Sequence, residues 1–198
     1  MLKSGVTLFV VRHGETDWNL ARRYQGQTDI PLNATGRAQA ARNGRTLAGI
    51  LGAADVRHVY VASPLMRARE TMEILRAAAA LEPVDAYATD PRLQEIHFGH
   101  WEGLIWDDLP RTDPTGFSAR KADNWNWQPD GGESYRMLSD RVAGWLAEVD
   151  RDTLVVTHGG VSRVLRGLVL GLDPNDIPVL EVPQDKVLRL DARGQQWL

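Results

Sequence analysis

The 198-residue chain contains no cysteine. That excludes disulfides, thiolate nucleophiles and thiolate metal ligands, and fits a reducing compartment. No apolar run approaches the roughly 20 residues of a membrane-spanning helix. There is no basic tract and the net charge is −3, so neither nucleic acid nor an anionic membrane surface is an expected partner. Repeats and low-complexity linkers are absent. The first five residues enter an apolar run without the layout of a signal peptide, and the expected location is cytoplasmic. What is present is ordinary for a globular protein, with 43% hydrophobic and 25% charged residues. The length suits one α/β domain over 1–198.

The feature that stands out is Arg12-His13-Gly14-Glu15, directly after the run Thr7 to Val11. The run is short, uncharged and rich in β-branched residues, and so reads as a buried strand. The pattern returns near the other end, where Thr153 to Thr157 precedes His158-Gly159-Gly160. In open α/β sheets, ligands bind beyond the carboxyl ends of the strands. Two histidines at such ends predict one site built from distant segments.

Between them the chain alternates. Residues 33–51 predict a helix capped by Asn33 or Thr35, and 56–61 a strand. Ser63 is expected to cap a helix reaching about Leu81, with Pro64 in its first turn. Residues 84–88 suggest an edge strand. Residues 91–131, with four tryptophans (101, 106, 125 and 127), lack periodicity; such a long irregular segment suggests an active-site cover. Tyr135, Leu138, Val142, Leu146 and Val149 recur on one face of a helix over 134–149. Another helix is expected over 161–170. The runs Val179–Val182 and Val187–Leu190 suggest two closing strands. The alternation predicts a three-layer α/β/α domain with a mainly parallel central sheet.

Its rim would collect Arg12, His13, Ser63, Arg67 and His158 beside helix N-termini, which bind anions through free backbone N–H groups. Arginine adds a bidentate match to phosphate oxygens. The inferred ligand is a phosphoryl group. Arg69 suits a solvated role, near Glu73. Spacing alone leaves Glu95 open between a surface acid and a site acid. Gly131 and Gly132 read as a turn, with Glu133 and Ser134 able to face the site. His97 and His100 lack the further ligands a metal centre needs, so no metal is expected.

Together these residues resemble the histidine phosphatase superfamily, also called phosphoglycerate mutase-like. The matching pieces are Arg12 to Thr16 with Trp18-Asn19, Gln25-Gly26, Pro31 to Gly36, Ser63 to Ala68, Leu93 to Gly99 with Trp101 to Gly103, Gly132 to Ser134, and Val156 to Gly160. The resemblance implies that His13 accepts phosphate as phosphohistidine. Arg12, Arg67 and His158 match the phosphate-binding core, Asn19 a further phosphate contact, and Glu95 the proton donor. Some members carry an acid directly after the second histidine; here Gly159 stands there, which supports Glu95 and leaves Gly159 among the substrate-binding positions. Glu15, Gln25, Gly26, Ser63 and Glu133 are further candidates.

The implied activity is metal-independent hydrolysis of small-molecule phosphomonoesters, with no cofactor. Only 63 positions separate Glu95 from His158, whereas the family's cofactor-dependent mutases typically carry longer insertions there. A phosphoglycerate mutase is the alternative, and a non-catalytic phospho-ligand module a third.

Overall fold

The structure, a computed structural model, describes residues 2–51 and 58–198. Its core is a six-stranded sheet: β1 (Leu8–Arg12), β2 (Val59–Ala62), β3 (Ala88–Thr89), β4 (Thr153–Thr157), β5 (Val187–Asp191) and β6 (Gly194–Trp197). The spatial order is β3-β2-β4-β1-β5-β6. The first four strands run parallel, while β5 and β6 are antiparallel to their neighbours. Seven α-helices accompany the sheet among the described residues: α1 (Asp17–Leu20), α2 (Ala34–Leu51), α3 (Met66–Ala78), α4 (Leu109–Thr112), α5 (Pro114–Ala122), α6 (Tyr135–Glu148) and α7 (Gly159–Leu170).

The two-residue period of a strand divides the core. Leu8 and Val10 of β1, with Val155 of β4, pack on one face against Leu138 and Val142 of α6 and Val161 and Leu165 of α7. Phe9 and Val11, with Leu154 and Val156, pack on the other against Leu47 of α2 and Met72 and Leu75 of α3. Both faces of the sheet are therefore covered, as the strand–helix alternation predicts. The five apolar residues that predict α6 are all buried.

Register then places the site. Arg12 lies opposite Thr157 in the parallel β1–β4 pair, and the His13 N–H donates to Thr157 O at 2.8 Å. The next residue of each strand, His13 and His158, must leave the sheet side by side. The Ser63 N–H, one residue past β2, donates to Val156 O at 2.9 Å. Three strand ends thus meet on one edge.

Several boundaries differ from expectation. The second strand begins at Val59 rather than 56, and residues 56 and 57 lie outside the described chain. Helix α2 follows Asn33, whose Oδ1 accepts the Gly36 N–H at 2.9 Å; Asn33, not Thr35, is the cap. Ser63 does not cap α3, and Pro64 precedes the helix instead of lying in its first turn. Asp29 accepts the Met66 N–H at 2.7 Å, which releases Ser63 for another partner. The same helix stops at Ala78, and Ala80 takes φ 56°. Residues 83–86 form a turn, closed by Ala86 N–H to Pro83 O, so the edge strand is only Ala88–Thr89. Residues 91–131 are less irregular than expected, holding α4 and α5, each with proline in its first turn. Helix α7 begins at Gly159, two residues early, with no gap after His158. Val179–Val182 is not a strand. Its successive carbonyls are taken by arginine side chains, Leu180 O by Arg163, Glu181 O by Arg166 and Val182 O by Arg12. The second closing strand is instead β6, in a hairpin with β5.

Candidate active site

The rings of His13 and His158 stand 5.1 Å apart between centroids, tilted by 59°. Both side chains are buried. Nδ1 of His13 lies 2.7 Å from Gly14 O. A carbonyl only accepts, so Nδ1 carries the proton and the lone pair of the neutral ring lies on Nε2. Burial holds the His13 imidazole well below its ordinary value, and the charges of Arg67 and Arg12 push the same way. His158 is depressed likewise, first by burial and then by Arg67. Both rings are therefore neutral near pH 7.

Ser63 Oγ lies 2.7 Å from Nε2 of His158 and accepts the Leu65 N–H at 3.3 Å. The hydroxyl keeps a hydrogen and a second lone pair, so it can donate to Nε2 or accept from it. When the hydroxyl donates, Nδ1 of His158 carries the proton; this buried atom has no protein partner.

Two arginines complete the core. Arg67 is fully buried. Its Nη1 and Nη2 donate to Thr28 O at 2.8 Å and Gly26 O at 2.7 Å. Glu102 fixes that same loop by accepting the N–H groups of Gln27 and Thr28 at 2.9 and 3.1 Å. Arg12 donates through Nη1 to Val182 O at 2.9 Å. Burial and the nearby charge of Arg163 lower the Arg12 guanidinium to about 10; it remains a cation at neutral pH. Nε of Arg12, Nε of Arg67 and Oε1 of Gln25 are buried without partners. An unsatisfied buried polar group costs about 1–3 kcal/mol. The two unpartnered Nε–H groups are donors beside two neutral imidazoles and suit an anion with several acceptor oxygens, whereas Oε1 of Gln25 is an acceptor and calls for a donor.

Glu95 meets α7 at its first turn. Its Oε1 and Oε2 accept the Gly160 N–H at 3.0 and 3.1 Å, and Oε1 also accepts the Ile96 N–H at 2.9 Å. A Cβ at position 160 would lie 2.5 Å from Oε1, so glycine there lets the carboxylate sit on the helix N-terminus. A Cβ at Gly159 would lie 3.6 Å from Nε of Arg12, which puts that backbone beside the arginine. Oδ1 of Asn19 accepts the Thr16 N–H and Nε2 of Gln184, both at 3.1 Å. That leaves Nδ2 of Asn19 as the available donor.

Two candidate acids serve other partners. Glu15 accepts Nδ2 of Asn33 at 2.9 Å and braces the His13 loop on α2. Glu133 pairs with Arg141 at 2.8 Å and accepts the His97 N–H at 2.9 Å. Burial works against its charge, yet these partners hold its carboxyl below the usual range. Arg141 also donates to Arg92 O, Gln94 O and Glu95 O, so this pair holds the segment that carries Glu95. Arg69 is exposed as expected, although Glu73 accepts from Tyr87 Oη at 2.8 Å. Trp101 is fully buried against Trp127 at 4.2 Å. Among the described residues, no three His, Cys, Asp or Glu side chains gather as a metal centre would need, and no helix is long and apolar enough to cross a membrane.

The family model for the histidine phosphatase superfamily (branch 1) matches residues 8–198. The chain belongs to that superfamily. Among curated relatives, it is 33% identical to a probable phosphoglycerate mutase of Serratia proteamaculans, over 96% of this chain and 87% of that protein. It is 34% identical to a metal-independent phosphoserine phosphatase of Arabidopsis thaliana, over 83% and 69%. Among solved structures, a mycobacterial glucosyl-3-phosphoglycerate phosphatase superposes with TM-score 0.78 at 28% identity, covering 98% of this chain and 96% of that one. Both phosphatase and mutase names thus occur among its histidine phosphatase relatives.

Sequence patterns did not point to Arg141, Glu102 or Gln184 as supports of this histidine phosphatase site. Glu102 lies in a matching motif piece, but nothing local announces that it braces a loop 75 residues away. Arg163 lies one helical turn past Gly159, which is a usable signal in retrospect.

Proposed function

We propose that the protein is a metal-independent phosphatase of small-molecule phosphomonoesters, working through phosphohistidine on His13. The observation that carries this reading is the bond from Nδ1 of His13 to Gly14 O. It commits that proton and leaves the Nε2 lone pair as nucleophile on a buried ring near the charges of Arg67 and Arg12. A neutral imidazole needs neither metal nor thiol to attack phosphorus.

Nε2 of His13 attacks the phosphoryl group, the bond from phosphorus to the ester oxygen breaks, and protonated Glu95 gives its proton to the departing oxygen. Water then attacks the phosphohistidine, Glu95 takes the proton from that water, and inorganic phosphate leaves with neutral His13 restored. Arg12, Arg67, Nδ1–H of His158 and Nδ2 of Asn19 supply donors for the equatorial oxygens. Residues 91–131 form the cover above the leaving group. The whole chain acts as one histidine phosphatase domain.

Rapid quenching after mixing with radiolabelled alkyl phosphate tests the reading. Acid-labile, base-stable label on His13 is expected, with none in His13→Ala, and turnover should survive a chelator. Label on Ser63, or none on any residue, would sink the covalent mechanism. The phosphoglycerate mutase reading rests on the relatives' names. It predicts rapid 3-phosphoglycerate isomerisation that depends on a bisphosphoglycerate primer.

A further inference from the structure

A cleft of about 620 Å³ is lined by residues the reaction above does not use. His13 and His158 do not line it, but two lining residues, Arg163 and Tyr135, are near enough to Arg12 to act on its charge. Arg163 would lie 3.5 Å from a Cβ at Gly159, the position that also adjoins Nε of Arg12. Phe98 on the wall is three residues from Glu95. The cleft therefore lies where the alcohol half of a phosphomonoester would extend from the reacting phosphate.

Its lining has two chemical characters. Tyr24, Phe98, Trp106, Phe117 and Tyr135 present aromatic rings. Arg120, Lys121 and Arg163 present cations, and no Asp or Glu among the described residues lines the cleft. That is unusual in a chain with more acids than bases. Arg120 is held by donation to Tyr24 Oη and to Asn124 Oδ1 at 3.1 Å. Its guanidinium stands 5.5 Å from the Tyr24 ring centroid and 5.7 Å from that of Trp101. Arg163 donates to Leu180 O at 2.7 Å and to Tyr135 Oη at 3.3 Å. Neither arginine meets a carboxylate among the described residues, and each has Nη2 to spare. At about 30 Å³ per water molecule, the cleft has room for roughly twenty water-sized groups. A three-carbon acid leaves most of it unfilled.

We propose that this cleft binds the alcohol half of the substrate, and that this half carries both an aromatic ring system and a second anionic group. The ring packs among these aromatic side chains, and the anion meets Arg120, Lys121 and Arg163. This rests on the phosphatase reading and adds the substrate class.

Three synthetic esters test it: propyl phosphate, 3-phenylpropyl phosphate and 3-(4-carboxyphenyl)propyl phosphate. All release primary alkoxides of similar basicity, so differences in kcat/KM report binding beyond the phosphate. The phenyl ring should raise kcat/KM by about tenfold or more. The carboxylate should add a further several-fold, an increment that shrinks as salt rises. Phe117→Ala should reduce the ring increment. The double variant Arg120→Gln, Lys121→Gln should remove most of the carboxylate increment, measured as the ratio of kcat/KM for the carboxyphenyl ester to that for the phenyl ester in the same variant. Equal kcat/KM for the three esters, or a carboxylate increment that survives the double variant, overturns the assignment. If none is hydrolysed, the phosphatase reading fails separately, and dissociation constants of the three matching phosphonates decide the cleft. The same ranking upholds it and equal affinities overturn it.

Discussion

Ser63 Oγ and Nε2 of His158 lie 2.7 Å apart in a fully buried pair. This bond orients the His158 ring, and when Oγ–H is the donor it leaves the ring proton on Nδ1, where the ring can donate to the phosphate. Ser63→Ala should leave Nε2 without its partner, at a cost of about 1–3 kcal/mol. The ring is then free to take the other tautomer. We expect kcat/KM for an alkyl phosphate to fall by about tenfold or more, with the fold intact by circular dichroism. Nitrogen-15 spectra should show the His158 proton no longer confined to Nδ1. A variant with wild-type kcat/KM would overturn the tautomer role.

Glu95 should matter in proportion to the basicity of the leaving group. An alkoxide needs a proton as it departs; p-nitrophenolate does not. General acid catalysis is worth about 10²–10⁴-fold, so single-turnover phosphorylation by Glu95→Gln should suffer that loss with an alkyl phosphate and far less with p-nitrophenyl phosphate. Glu133→Gln weakens the clamp with Arg141 instead and should lower stability by about 1.5–3 kcal/mol, without leaving-group dependence. If Glu133→Gln shows the dependence and Glu95→Gln does not, the two roles are reversed.

Arg67 and Arg69 differ by two positions and by everything around them. Arg67 is fully buried, bonded to two carbonyls with Nε unpartnered, while Arg69 is exposed. Arg67→Lys keeps the charge but loses the fork geometry. We expect a loss in kcat/KM of about 10²-fold or more, the scale of removing one transition-state donor. Arg69→Lys should be indistinguishable from wild type. Steady-state kinetics on both variants makes the comparison, and equal losses would show the site to be misplaced.

Stability should fall on mild acidification. His13 and His158 titrate well below about 6.5 in the native state. Below that pH the unfolded chain binds protons that the native chain does not, so native stability is full above pH 6.5 and declines as pH drops toward the depressed values. Each histidine contributes a slope of about 1.4 kcal/mol per pH unit. Urea denaturation between pH 7 and pH 5 should show it, and His13→Asn should remove about half of the part owed to this pair. Stability independent of pH across that range would show that the two rings are accessible to protons.

The legible part of this molecule was its sheet and its histidines. Runs such as Thr7 to Val11 and Thr153 to Thr157 state their burial through composition alone, and a histidine at each end needs only parallel pairing to meet the other. The tail was misread because Val179–Val182 has strand composition while its carbonyls are taken by Arg163, Arg166 and Arg12 from elsewhere. Ser63 was misread for a related reason. Serine before proline is a sound local signal for a cap, but Asp29, far away in the chain, meets the first helical N–H instead.

Local pattern therefore determined the α/β class and the strands that end at Arg12 and Thr157, because burial and periodicity act over a few neighbouring residues; it marked Arg12, His13, Arg67 and His158 as candidates. The partners of Glu15, Glu95 and Glu133 followed no local rule. All three are acids beside glycine or polar residues, yet one braces a helix, one sits on the N-terminus of α7 and one is locked to Arg141. A carboxylate takes its role from the donors that folding brings within about 3 Å, and those donors lie up to 65 positions away along the chain.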